Sequence, residues 1–210
     1  MPRKKRIWYP GAIYHVMNRG NRRLILYNDE EDYLSFLESI QVTARLYTFK
    51  IHSLCLMTNH FHMIVETAET ELWRIMKRML HPYAVNFNRK YHYTGHLFEN
   101  RYTACLIEDE RYFLEVSRYI HLNPVRAQMV SNPMEYEYSS YGSFIDAEWC
   151  YGEKTAEYIS EIVDTSRILD YFGHDSRRQY REFVEGRISH ADQERQICSQ
   201  MHEDDMWLPK

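Results

Sequence analysis

The chain has 210 residues, a mass near 25.6 kDa and 44% apolar residues, which is enough for one ordinary core with an extension and too apolar for a disordered chain. Its four cysteines (Cys55, Cys105, Cys150, Cys198) lie far apart with no CxxC pair, and its seven glycines compose no dinucleotide or P-loop fingerprint, which argues against a disulfide framework, a cysteine-rich zinc module and nucleotide-triphosphate chemistry. The net charge of −4 hides an asymmetry: residues 1–130 hold 18 Lys/Arg against 13 Asp/Glu (net +5), and residues 131–210 hold 8 against 17 (net −9). Such a split predicts a basic part that meets a polyanion and a separate acidic module; the plainer alternative is a solvated surface of uneven charge. No run approaches the roughly 18–20 apolar residues of a membrane helix, and Met1-Pro-Arg-Lys-Lys-Arg6 lacks the apolar segment of a signal peptide, so the expected location is the cytoplasm.

Along the chain, Ala12 to Val16 reads as a strand, followed by a basic turn, Asn18-Arg-Gly-Asn-Arg-Arg23. Asn28 with carboxylates after it predicts a helix start, and Tyr33, Phe36, Leu37, Ile40 and Ala44 continue at helical spacing. Tyr47 to Met57 is a strand, Thr58-Asn59 a turn, and His60 to Glu66 the next strand. Alternation there sends Phe61, Met63 and Val65 to one face and His60, His62 and Ile64 to the other. A long helix from Leu72 to about Phe87 follows, with a kink expected at Pro82. Tyr102 to Ile107 is a short strand, and Asp109 caps a helix expected to end near Asn123 because Pro124 follows. Residues around Ser131–Pro133 and Ser139–Gly142 read as loop, and helical patterns recur at about 155–163, 165–172 and 176–187. The order β-α-β-β-α-β-α predicts an α+β fold, an antiparallel sheet with helices packed on it, plus a C-terminal helical extension.

Three groups of residues could carry chemistry. His60-Phe61-His62 on a strand points two imidazoles the same way, as ligands of one metal ion or as hydrogen-bonded core histidines. Tyr119 and Asn123 lie one helical turn apart, although Tyr119 also continues the core stripe of Tyr112 and Val116, and Asn123 before proline suits a turn. Basic groups at Arg3–Arg6, Arg19, Arg22, Arg23, Arg101, Arg118 and Arg126, with backbone amides near Gly20, could neutralise phosphates. Trp8, Tyr9, Phe98 and Tyr102 are aromatic neighbours able to stack bases.

Four stretches in order, His15-Val-Met-Asn-Arg-Gly-Asn-Arg22, Leu56-Met-Thr-Asn-His-Phe-His62, Gly95-His-Leu-Phe-Glu-Asn-Arg101 and Arg118-Tyr-Ile-His-Leu-Asn-Pro-Val-Arg126, with Glu137-Tyr-Ser-Ser-Tyr141 beyond them, carry a resemblance over residues 7–130. They resemble the Y1 (HUH) single-strand DNA transposases, in the REP-associated tyrosine transposase branch of the IS200-like group. The resemblance implies a ferredoxin-like HUH nuclease domain over 1–130 and an acidic, mainly helical extension over 131–210. It implies Tyr119 as nucleophile, His60, His62 and Asn123 as ligands of a divalent ion, Mg²⁺ or Mn²⁺, and single-stranded DNA hairpins as the partner of a monomer or homodimer. Attack by a phenol, weak until deprotonated, would leave a 5′-phosphotyrosine and a free 3′-hydroxyl without ATP. Arg19, Gly20, Asn21, Arg22, Arg101, Arg118 and Arg126 are the expected DNA contacts. Thr58 departs from the resemblance, standing where many relatives have proline. The competing readings are a hairpin-binding protein that does not cleave and a metal hydrolase that uses water, with Tyr119 in the core. The acidic extension reads either as packed helices or as a cover over the basic cleft.

Overall fold

The computed structural model describes residues 7–146 and 152–187, so the basic arm Arg3–Arg6 and the last residues of the acidic extension lie outside the described residues. The elements run β1 (Ile13–Arg19), α1 (Glu30–Ala44), β2 (Phe49–Met57), β3 (His60–Thr67), α2 (Leu72–Tyr91), β4 (Thr103–Ile107), α3 (Glu110–Arg126), α4 (Tyr141–Ile145), α5 (Glu153–Ile162), α6 (Ser166–Leu169) and α7 (Ser176–Glu185). Four strands form one antiparallel sheet in the order β2-β3-β1-β4, the expected α+β arrangement.

Alternation along β3 divides the sheet into two faces, as its sequence predicts. Phe61 turns toward α1 and meets Phe36 at 5.1 Å between ring centres, while Tyr83 of α2 packs edge-on to Phe36. Helices α1 and α2 therefore cover that face. On the other, His15 and Met17 of β1 sit beside Ile64 and His62 of β3, and α3 lies over them with Phe113, Val116 and Ile120 buried. An irregularity in β2 between Ile51 and Ser53 turns His52 toward α3, where its ring meets Phe113 at 5.4 Å.

Two helix ends differ from expectation. The cap of α1 is Asp29 rather than Asn28: Asp29 Oδ1 accepts from Asp32 N at 3.0 Å, and Asn28 N donates back to Asp32 Oδ2 at 2.8 Å. Lys90 of α2 selects this register, placing its ammonium within 3.0 Å of Asp29, Glu31 and Asp32 and holding the Asp29 carboxyl below its usual pKa. Helix α3 does not stop at Asn123 but runs through Pro124 to Arg126. The proline removes one late donor from the ladder. The end is closed instead by Ala127 N on Asn123 O and Met129 N on Pro124 O, both 2.9 Å, with Gln128 in the left-handed region. Likewise α2 continues through Pro82 as one helix.

The described part of the extension is joined to the sheet. Its backbone bonds to the outer edge of β2: Leu56 N donates to Tyr138 O and Ser140 N to Leu54 O (both 2.9 Å), and Asp164 N donates to Ile51 O at 2.8 Å. These contacts close an edge that would otherwise be open to strand addition. Of residues 139–142, read as loop, Tyr141 and Gly142 instead open α4, and Tyr141, Phe144, Ile159, Ile168, Tyr180 and Val184 are buried in the same core as the sheet. Charge statistics report the surface; the union of the two parts lies in their apolar positions. The described part of the extension packs on α1, α3 and β2.

A polar knot fastens α3 to this extension. His121 Nδ1 lies 2.8 Å from Tyr180 Oη and its Nε2 lies 2.9 Å from Ser140 Oγ. Ser117 Oγ meets Tyr180 Oη and, at 3.0 Å, Ser53 Oγ. Burial pushes the His121 imidazole down to about 3 and that of His15 down to about 4. The unfolded chain takes up protons on these histidines below about pH 6.5 while the folded chain does not, so stability present above that pH is lost as the pH falls. Urea midpoints are expected to drop between about pH 7 and 5, each such histidine contributing up to about 1.4 kcal/mol per pH unit. A flat profile over that window would contradict neutral buried imidazoles.

Candidate active site

The strands and α3 bring the sequence-singled residues together at one end of the sheet. His62 is buried and His60 half-buried on the face under α3, and their ring centres lie 5.2 Å apart with planes at 90°. Half-buried Tyr119 on α3 sets its ring edge-on to His62 at 5.4 Å. Thus the tyrosine on the core stripe is also the one facing the histidine pair. Asn123, one turn later, donates its side-chain Nδ2 to Tyr119 O at 2.9 Å. That bond fixes the amide and leaves Oδ1 without a hydrogen-bond donor among the described residues.

Both histidines are held through Nδ1. Asn59 Oδ1 accepts from His60 Nδ1 at 2.7 Å, and His62 Nδ1 lies 3.0 Å from His15 Nε2. Each therefore keeps Nε2 for another partner. Burial first, then the Arg19 guanidinium, pushes His60 down to about 4; burial and then neighbouring His60, His15 and Arg19 hold His62 well below its usual value. Both are neutral at pH 7, the form in which imidazole binds a metal. Among the described residues no three His, Cys, Asp or Glu side chains group as a metal site. By donor chemistry alone, the groups here that could serve a divalent ion are a mixed set, the two imidazoles and the amide oxygen of Asn123.

A basic rim borders the site. Arg19 faces His60 across the β1–β3 ladder. The turn after it is tied to the segment before β4 by Asn21 N on Leu97 O (2.7 Å) and Glu99 N on Arg19 O (3.0 Å). Two stretches distant in sequence thereby meet, exposing Arg22, Arg23 and Arg101, with Glu99 among them. Arg126 lies over the Tyr119 ring, its guanidinium carbon 5.1 Å from the ring centre.

Two of the expected DNA contacts, Arg118 and Gly20, and one of the candidate stacking rings, Tyr102, are buried. Arg118 is buried, paired with Glu115 and lying 4.4 Å over the Phe183 ring, so it joins α3 to α7. Gly20 is buried, and its amide donates to Asn59 O at 2.9 Å. Its lack of a side chain serves close backbone approach, because a Cβ there would stand 2.1 Å from Leu24 O. Tyr102 is buried and offers no stacking face, whereas Tyr9 is exposed. The sequence reasoning assigned no role to His15 or Asn59. Alternation along β1 would have put His15 on one face, but only the β1–β3 register shows which one.

The antiparallel sheet thus carries two imidazoles beneath a tyrosine on the helix that follows β4. The family model for IS200-like transposases matches residues 9–123, more than half of the chain, and the chain belongs to this family. A protein of Haemophilus influenzae described as a REP-associated tyrosine transposase is 25% identical over 130 residues, 56% of this chain and 73% of its own length. A solved REP-associated tyrosine transposase bound to a REP hairpin superposes with a TM-score of 0.61 at 18% identity, covering 72% of this chain and 88% of that one. This shows that the two share a fold. No helix among the described residues is long and apolar enough to cross a membrane.

Proposed function

We propose that this protein is a REP-associated transposase that binds single-stranded DNA hairpins and cleaves and rejoins strands through a 5′-phosphotyrosine link. The observation that carries the reading is Tyr119 set against His62, with His60 beside it and both histidines oriented through Nδ1. His60, His62 and Asn123 would hold Mg²⁺ or Mn²⁺, which when bound there would offset charge on the scissile phosphate and orient it. The Tyr119 oxygen forms the new bond to phosphorus, the bond to the 3′ oxygen breaks, and the phenol's proton passes through solvent to that 3′-hydroxyl. One phosphoester replaces another, so a second 3′-hydroxyl reverses the step. Arg19, Asn21, Arg22 and Arg101 on the rim receive the hairpin phosphates. Both halves of the site belong to one chain, which supports use of Tyr119 in cis, whether in a monomer or a homodimer.

The test incubates the protein with hairpin DNA from the flanks of its gene, with Mg²⁺, Mn²⁺ or chelator, and runs a denaturing gel. The expected result is a protein–DNA adduct that chelator abolishes. Hairpin retention without cleavage would favour a binding protein, and cleavage without an adduct would favour a hydrolase.

A further inference from the structure

His15 lies fully buried on β1 under α3, and its Nε2 is 3.0 Å from His62 Nδ1. Its own Nδ1 is buried and has no hydrogen-bond partner among the described residues. A core position filled for packing alone gains nothing from an imidazole with an unsatisfied nitrogen, since leucine or phenylalanine would fill the space without that cost. The arrangement is intelligible through its partner. Between two neutral imidazoles only one nitrogen of the contact carries the proton. If His15 donates, His62 is protonated at Nε2 and cannot bind a metal through it. If His62 donates from Nδ1, its Nε2 lone pair is free. His60 already adopts the second pattern, because Asn59 Oδ1 only accepts.

We propose that His15 is a positioning residue that accepts the Nδ1 proton of His62, fixing the tautomer and ring orientation in which His62 Nε2 binds the divalent ion. The inference rests on the metal-site reading above and deepens it. It places one acceptor behind each histidine, a side-chain amide for His60 and an imidazole for His62, as is usual for metal-bound imidazoles. Tautomer control of this kind acts on affinity without any contact between His15 and metal or DNA.

The experiment follows Mn²⁺ binding to the full chain through the electron-spin resonance of free Mn²⁺, for the wild type, His60→Ala, His15→Leu and His15→Gln. His15→Leu is expected to weaken binding about 10- to 100-fold. His15→Gln, whose side-chain oxygen can accept from His62 Nδ1, recovers most of it, which a packing role would not predict. Long-range proton–nitrogen NMR of the histidine rings in the metal-free wild type and His15→Gln proteins is expected to show His62 protonated at Nδ1. This readout decides the matter even if His15→Leu does not fold. A folded His15→Leu protein binding Mn²⁺ within about threefold of the wild type, or His62 protonated at Nε2 in the metal-free protein, overturns the role of His15 and leaves the metal site standing. Equal Mn²⁺ binding by the wild type and His60→Ala overturns the metal site and this inference with it.

Discussion

Tyr119→Phe is expected to hold hairpin DNA as the wild type does and to form no covalent adduct, a loss of cleavage greater than about a thousandfold. The substitution removes one oxygen and keeps the ring. That ring makes the packing contacts: edge-on to His62 at 5.4 Å and to His15 at 6.0 Å, with Arg126 above it at 5.1 Å. The binding surface proposed above, on the rim made by the turn after β1 and the segment before β4, does not include the phenol oxygen. Filter binding and a denaturing gel on the same preparation separate the two effects. An adduct of wild-type yield in the variant would move the nucleophile to another side chain.

A chain ending at Tyr141 is expected not to fold. It lacks Phe144, Ile159, Ile168, Tyr180 and Val184, all buried in the common core. At about 1.5–3 kcal/mol for each buried apolar side chain, their loss is comparable to the whole stability of a typical domain, about 5–15 kcal/mol. The cut also deletes the Tyr180 hydroxyl from His121 and Ser117, and it frees the Ile51 carbonyl that Asp164 N occupies. Soluble yield, near-ultraviolet circular dichroism and a thermal melt check this. A cooperatively melting fragment that still binds hairpins would show instead that residues 1–141 fold alone, and would make truncation a fair test of whether the acidic segment covers the basic cleft.

The parts of this architecture that local chemistry specifies were legible in the sequence. Alternation in β3 put His60 and His62 on the face opposite Phe61, and helical spacing placed Tyr119 and Asn123 one turn apart. The parts that failed depend on partners distant in sequence. Asn28 and Asp29 are equivalent as caps until Lys90 arrives from α2. Pro124 reads as a stop until the turn beyond it supplies the closing bonds. Arg118 reads as a surface cation because nothing nearby announces Phe183, more than sixty residues later. His15 escaped for the same reason: a histidine in a strand has no assigned neighbour until the register is known. Charge says least about packing, since −9 over residues 131–210 describes what water sees and nothing of buried Tyr141 or Tyr180.

The anchoring of α3 has a bearing on how two strands could be exchanged at one site. Ser117 and His121 stand two residues to either side of Tyr119, and both are bolted, one to β2 and both to α7, through hydroxyls and an imidazole that water does not reach. A helix gripped on both sides of its reactive residue is an anvil rather than an arm. On the function proposed here, the choreography of cutting and resealing then falls to the nucleic acid: the departing 3′ end must withdraw and another take its place, while the tyrosine stays where it is.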